Sequence, residues 1–182
     1  MPTIADSKDW TWVLHRPCPE CGFDAGELDR EDIGTRLLQA AKGLRDALAR
    51  TGARDRPAPE IWSPLEYGCH TRDVCRVFDD RLRLILTSDD PAFSNWDQDA
   101  TALSDDYAGQ DPAAVAVQLW DDAQVLAGRY NGLDDAQWDR TGSRSDGARF
   151  SAVSLGQYLV HDLAHHVWDV TAERQVTFPS DS

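Results

Sequence analysis

Lysine is nearly absent. Lys8 and Lys42 are the only two among 18 basic residues, and these face 32 acidic ones. The resulting formal charge of −14 excludes a broad basic surface for nucleic acid or anionic membrane. Long apolar runs are missing as well: none approaches the ~20 residues needed to cross a bilayer. The opening MPTIADSKDWTW has no charged-then-apolar leader pattern, so the expected location is cytoplasmic. No GxGxxG, P-loop, GxSxG, heptad array or internal repeat occurs. The four cysteines, in a chain expected in the cytoplasm, point to thiols or metal ligands rather than disulfides.

What is present suits one globular domain. The 182 residues are 41% hydrophobic and 9% aromatic, enough to bury a sizeable core. Ile33, Leu37, Ala40, Leu44 and Leu48 mark one stripe of a helix from about Asp29 to Arg50. Ser63-Pro64-Leu65-Glu66 is a capping box with proline at the first helical position, opening a second helix to about Leu86. A long polar connection follows, from Ser88 to Gly109. Asp111-Pro112 starts a third helix, which Asn131-Gly132 closes. Leu133 to Phe150 reads as polar chain with a short helical turn around Trp138. A fourth helix begins at Ser154, or one turn earlier at Ser151. With no convincing alternating strand pattern, the fold class is all-α, a four-helix bundle. The expected divisions are an N-terminal extension over 1–28, the bundle over 29–172 and a tail over 173–182.

The stretch SLGQYLVHDLAHHVWDV (154–170) holds three of the five histidines. On a helix His161 and His165 lie one turn apart, about 40° off alignment, and leave the same face. That spacing suits two imidazoles on one ion, although ordinary helix histidines also occur at it. His166 is rotated about 100° from His165 and is expected to point elsewhere. The third ligand proposed is His70, on the second helix, with Glu66 and Asp73 one turn either side as acceptors for its other nitrogen. Three inward-facing imidazoles would leave coordination positions open.

Cys18-Pro19-Glu20-Cys21-Gly22 is similar to one knuckle of a zinc ribbon. No second CxxC follows, so a second metal site would draw on His15, with Cys69 or Cys75 as the fourth ligand. A redox pair or a packed pair is the alternative. Cys69 is next to His70 but about 100° around the helix, which suits a core residue.

At this point the chain resembles a known family. Trp62-Ser63-Pro64-Leu65-Glu66 followed by His70, then His161-x-x-x-His165 on the last helix, resembles the DinB-like (YfiT-like) superfamily of four-helix-bundle metalloproteins. The likeness spans roughly Asp29 to Thr171 and lies near the branch of mycothiol-dependent maleylpyruvate isomerases. It implies an up-down-down-up bundle with a divalent ion, zinc or nickel, at one end. It also implies chemistry on adducts of low-molecular-weight thiols, with mycothiol as a co-substrate. That branch often carries Glu where this chain has His161. The CPECGFD segment lies outside the family's common core.

The expected function is therefore that of a metal-dependent enzyme activating a small thiol for S-transfer. Arg72, Arg76 and Arg149 are candidates for holding the thiol's polar parts. A small-molecule substrate is expected, without nucleic acid or membrane, and with a homodimer as an open assembly state. Two other readings stand beside this one. The metal could simply staple or sense in a non-catalytic bundle. Alternatively His161-Asp162-Leu163-Ala164-His165, one methylene from HExxH, could belong to a zincin-like hydrolase.

Overall fold

The computed structural model describes residues 10–171. Four long helices form the bundle: α1 (Ile33–Leu48), α2 (Pro64–Thr87), α4 (Pro112–Asn131) and α6 (Ala152–Thr171). Two short helices, α3 (Gln98–Ser104) and α5 (Asp135–Trp138), lie in the connections. So does a small sheet of β1 (Ala92–Phe93), β2 (Thr141–Arg144) and β3 (Arg149–Ser151), in which β1 runs parallel and β3 antiparallel to β2. Each of α1 and α2 packs against both α4 and α6.

Residue pairs fix the directions. Gly43 of α1 meets Val167 and Gly156 meets Ile33, so α1 and α6 are parallel. Gly34 meets Asn131 while Arg45 lies over Trp120, so α1 and α4 are antiparallel. Arg72 bonds Gln118 and Arg129 bonds Asp79, so α2 and α4 are parallel. The bundle is up-down-down-up.

The expected apolar stripe of α1 is buried throughout and meets Leu65, Phe78, Leu82, Leu119, Leu126, Leu155, Leu159 and Leu163 in one core. Each such side chain contributes about 1.5–3 kcal/mol relative to exposure. Helix α6 starts at Ala152, the earlier of the two anticipated positions. Ser151 and Ser154 exchange bonds there, each backbone N–H donating to the other's hydroxyl oxygen at 2.9 and 3.1 Å. The sheet was not anticipated, because strands of two to four residues show at most one alternation. Gly142 sits in it because a Cβ there would meet Ile85, Phe93 and the Pro91 carbonyl at 2.9–3.0 Å.

The start of α2 is locked as its sequence indicates. Ser63 N–H donates to Glu66 Oε2 at 2.9 Å, and Glu66 N–H donates to Ser63 Oγ at 3.3 Å. The Arg56 guanidinium closes on both Glu66 oxygens. Burial would raise the Glu66 carboxyl, but Arg56 and Ser63 outweigh it and hold it below its ordinary value. A depressed folded value means stability that is present above the unfolded value and lost as pH falls through the folded one. Glu66→Ala is therefore expected to lower stability by about 1–3 kcal/mol at pH 7. In urea melts the gap to wild type should close as pH drops below about 4.5.

Candidate metal centre

The first turns of α2 and the last turns of α6 meet at one end of the bundle, where α1 also ends. Successive α6 residues are rotated by about 100°, and residues four apart share a face. The helix thus offers two neighbouring ligand stripes, His161/His165 and Asp162/His166. Both are used, by different parts of the chain.

Helix α2 approaches the second stripe. His70, Asp162 and His166 bring one ligand atom each to within 4.8 Å of one another. Asp162 Oδ1 lies 3.5 Å from His70 Nε2 and 3.6 Å from His166 Nε2. Those separations are long for hydrogen bonds. They match the edge of about 3.3–3.4 Å that ligands 2.0–2.1 Å from a tetrahedral ion would span. Asp162 Oδ1 and His70 Nδ1 are both buried without a hydrogen-bond partner among the described residues. Behind His166, its Nδ1 meets Asp169 Oδ2 at 2.9 Å. That carboxylate favours the Nδ1–H tautomer and leaves a lone pair on Nε2. Trp96 stacks on the His70 ring at 5.4 Å with planes 4° apart, and Trp62 packs 5.5 Å from it. The three side chains fit a divalent ion.

The N-terminal arm approaches the first stripe. Cys18, Cys21, His161 and His165 bring their ligand atoms within 4.8 Å of one another. Among the described residues these are the two groups of metal-ligating type so gathered.

Burial shapes the protonation of both. It pushes His161 down to about 4 and lowers His70 and His165 despite nearby carboxylates. All three rings are therefore neutral at pH 7, with lone pairs to give. Burial would raise Asp162, but His70, His166 and His161 outweigh it and pull it to about 2. Burial also pushes the Cys21 thiol up to about 11 and Cys69 up to about 12, and raises Cys75.

The sequence reading put His70, His161 and His165 on one ion and set His166 aside. The structure divides that set: His70 goes with Asp162 and His166, while His161 and His165 go with the cysteines. The reason is directional, since α2 lies over one α6 stripe and the arm over the other. The Asp162-x-x-x-His166 spacing was present in the same stretch, but the HxxxH one residue earlier masked it. Exposed His15 belongs to neither group, and Cys69 and Cys75 are buried in the core.

Glu66 bonds Ser63 and Arg56, and Asp73 bonds Arg72, Arg76 and Tyr107, so neither turns to His70. Arg72 also bonds Gln110 and Gln118; Arg76 pairs with Asp122, and Arg149 with Asp90. Arg81 was not singled out from sequence. It is buried, bonds the Ser94 carbonyl at 3.1 Å and, among the described residues, has no carboxylate at ion-pair distance. Burial and Arg144 push it down to about 10, with Tyr158 and Asp162 among its electrostatic neighbours.

A helical bundle that gathers histidine and carboxylate side chains of metal-ligating type from facing helices at one end has an arrangement found in bundle metalloproteins. The DinB superfamily model matches residues 31–170, and the chain belongs to that superfamily. Among solved structures, the chain is similar to YfiT from Bacillus subtilis, described as "a probable metal-dependent hydrolase with an unusual four-helix bundle topology". The two share 21% identity over 78% of this chain and 83% of YfiT, with a TM-score of 0.71. At that identity the likeness speaks for the fold. No curated protein matches the sequence. Among the described residues no helix is long and apolar enough to cross a membrane.

The lowered histidines set a pH dependence for chelator-treated protein. Below their unfolded value of about 6.5 the unfolded chain takes up protons that the folded chain refuses, so stability falls with pH. Urea midpoints are expected to drop from pH 8 to pH 5. Metal-loaded protein should hold its midpoint further into acid.

Proposed function

We propose that His70, Asp162 and His166 hold a divalent ion, zinc or nickel, and that the chain is a metal-dependent enzyme. Its reaction is the S-transfer of a low-molecular-weight thiol of the mycothiol type to a small electrophile in the cytoplasm. The observation that carries the metal assignment is the buried Asp162 oxygen facing two imidazole nitrogens at 3.5 and 3.6 Å without a hydrogen bond. The superfamily membership and the description of YfiT as metal-dependent support it.

An ion there would supply Lewis acidity, the means by which a thiol or water becomes a nucleophile at neutral pH. The rest falls to the chain's own residues. His70 and His166 would ligate as neutral rings, since only a deprotonated nitrogen binds an ion, and Asp162 would supply the one charged ligand. Asp169 holds the His166 ring in orientation through Nδ1. Trp62 and Trp96 pack against His70 and restrict water around it. Cys69 and Cys75 are buried with raised thiols, which leaves the nucleophile to come from a bound small molecule. Arg81, buried without a carboxylate at ion-pair distance among the described residues, suits an anionic part of the substrate; Arg72, Arg76 and Arg149 are already ion-paired.

Water in place of the thiol gives the second reading, hydrolysis, which the description of YfiT favours. Incubating metal-loaded protein with mycothiol, bacillithiol or glutathione and a chlorodinitrobenzene separates the two. The expected result is metal-dependent adduct, abolished in His70→Ala and His166→Ala. Cleavage of ester or amide substrates without any thiol would replace transfer by hydrolysis. Asp169→Ala is expected to weaken metal affinity by about 10–100-fold while the protein stays folded. Arg81→Met should raise KM for an anionic substrate more than it lowers kcat.

A further inference from the structure

The CxxC segment is left unexplained by this proposed reaction. Cys18 is buried at 2% exposure, and Cys21 is half-buried. The turn between them closes tightly: Gly22 N–H donates to the Cys18 carbonyl at 2.9 Å, and Cys18 N–H donates to the Phe23 carbonyl at 2.8 Å. Gly22 adopts φ 73°, the left-handed conformation in which glycine carries no Cβ penalty. This turn brings both sulfurs to the face of α6 that carries His161 and His165.

We propose that Cys18, Cys21, His161 and His165 form a closed four-coordinate zinc site that fastens the N-terminal arm to α6. Four observations converge on it. The four ligand atoms lie within 4.8 Å of one another, and Cys2His2 is a complete donor set for structural zinc. Cys18 Sγ lies 3.7 Å from His165 Nδ1; a sulfur at 2.3 Å and a nitrogen at 2.0–2.1 Å from one tetrahedral ion would stand about 3.6 Å apart. The other nitrogen of His165 faces Glu20 Oε2 at 3.4 Å, a carboxylate placed to hold the ring for metal through Nδ1. His161 Nε2 is buried with no hydrogen-bond partner among the described residues.

Charge explains why this group suits a structural role. Two thiols lose their protons on binding, so two thiolates and two neutral imidazoles around a divalent ion sum to zero. Such a site can be enclosed at low cost. Trp10 packs 5.8 and 5.3 Å from His161 and His165, and Phe23 packs 5.5 Å from His161. These rings cover the site. The arm's hold on α6 continues at Gln157, whose side-chain amide donates to the carbonyls of Ala25 and Leu28. The zinc site shares no ligand with the His70 group and stands whether or not that group is catalytic.

Metal analysis of untagged full-length protein purified without chelator tests this directly. Wild type should carry this zinc with both thiols blocked to iodoacetamide until an organomercurial releases one zinc per chain. Cobalt-substituted protein should show an intense sulfur-to-cobalt charge-transfer band. Cys18→Ser/Cys21→Ser should lose that band and one ion per chain. His70→Ala/His166→Ala should keep the band, which separates failure here from failure of the proposed active site. If the cysteine variant does not fold, the band and the mercurial titration on wild type decide alone. Freely alkylated thiols in freshly purified protein, a mass two hydrogens lower from a Cys18–Cys21 disulfide, or no cobalt–sulfur band would overturn the assignment.

Discussion

The angular step of α6 governs this end of the molecule. At about 100° per residue, His161/His165 and Asp162/His166 form two stripes on adjoining faces. A different rotation of the helix about its axis would aim both pairs at the wrong neighbours. Close packing sets that rotation. A Cβ at Gly156 would meet Ile33 and Tyr130 at 2.8–2.9 Å, and one at Gly43 would meet Val167 at 3.1 Å. These approaches lock α1 and α6 in a parallel pair with little freedom to turn, and the ligands inherit the setting.

The two groups then differ in charge and cover, and so in chemistry. The arm's group brings two sulfurs and two neutral rings, a set that cancels a divalent charge and suits enclosure. The α2 group has one carboxylate and two imidazoles, which around a divalent ion would leave net positive charge and room for a further ligand. In each, the protein buries an atom on the ion's side that has no hydrogen-bond partner among the described residues: His161 Nε2 in one and Asp162 Oδ1 in the other. An unsatisfied buried polar atom costs about 1–3 kcal/mol. An ion that satisfies such atoms therefore couples its binding to folding.

The long connection after α2 is drawn into the same design by a buried polar network. Arg72 forks onto both Asp73 oxygens, Tyr107 Oη donates to Asp73 at 2.6 Å, and Gln110 and Gln118 accept from Arg72. This fixes the 3₁₀ turn at Tyr107–Gly109 against α2. Earlier in the connection, Trp96 is stapled by its indole N–H to Thr101 Oγ1 at 2.8 Å while its ring stacks on His70. A stretch that is polar in sequence thereby supplies an aromatic wall to the site.

The bundle itself was legible in the chain. The stripe from Ile33 to Leu48, the capping box at Ser63–Glu66, the Asp111-Pro112 start and the apolar period through Leu155, Leu159 and Leu163 are local signals, written within one or two turns of each element. The sequence also determined which residue types could ligate, and that His161 and His165 share a face. It did not determine which of two adjacent stripes would meet His70, because that depends on which side of α6 the second helix packs. Nor could it show that a CxxC knuckle 140 residues upstream would close on His161 and His165, leaving exposed His15 out. Pairings across such separations are set by helix rotation and chain path, which local periodicity does not encode; only the packed bundle decided them.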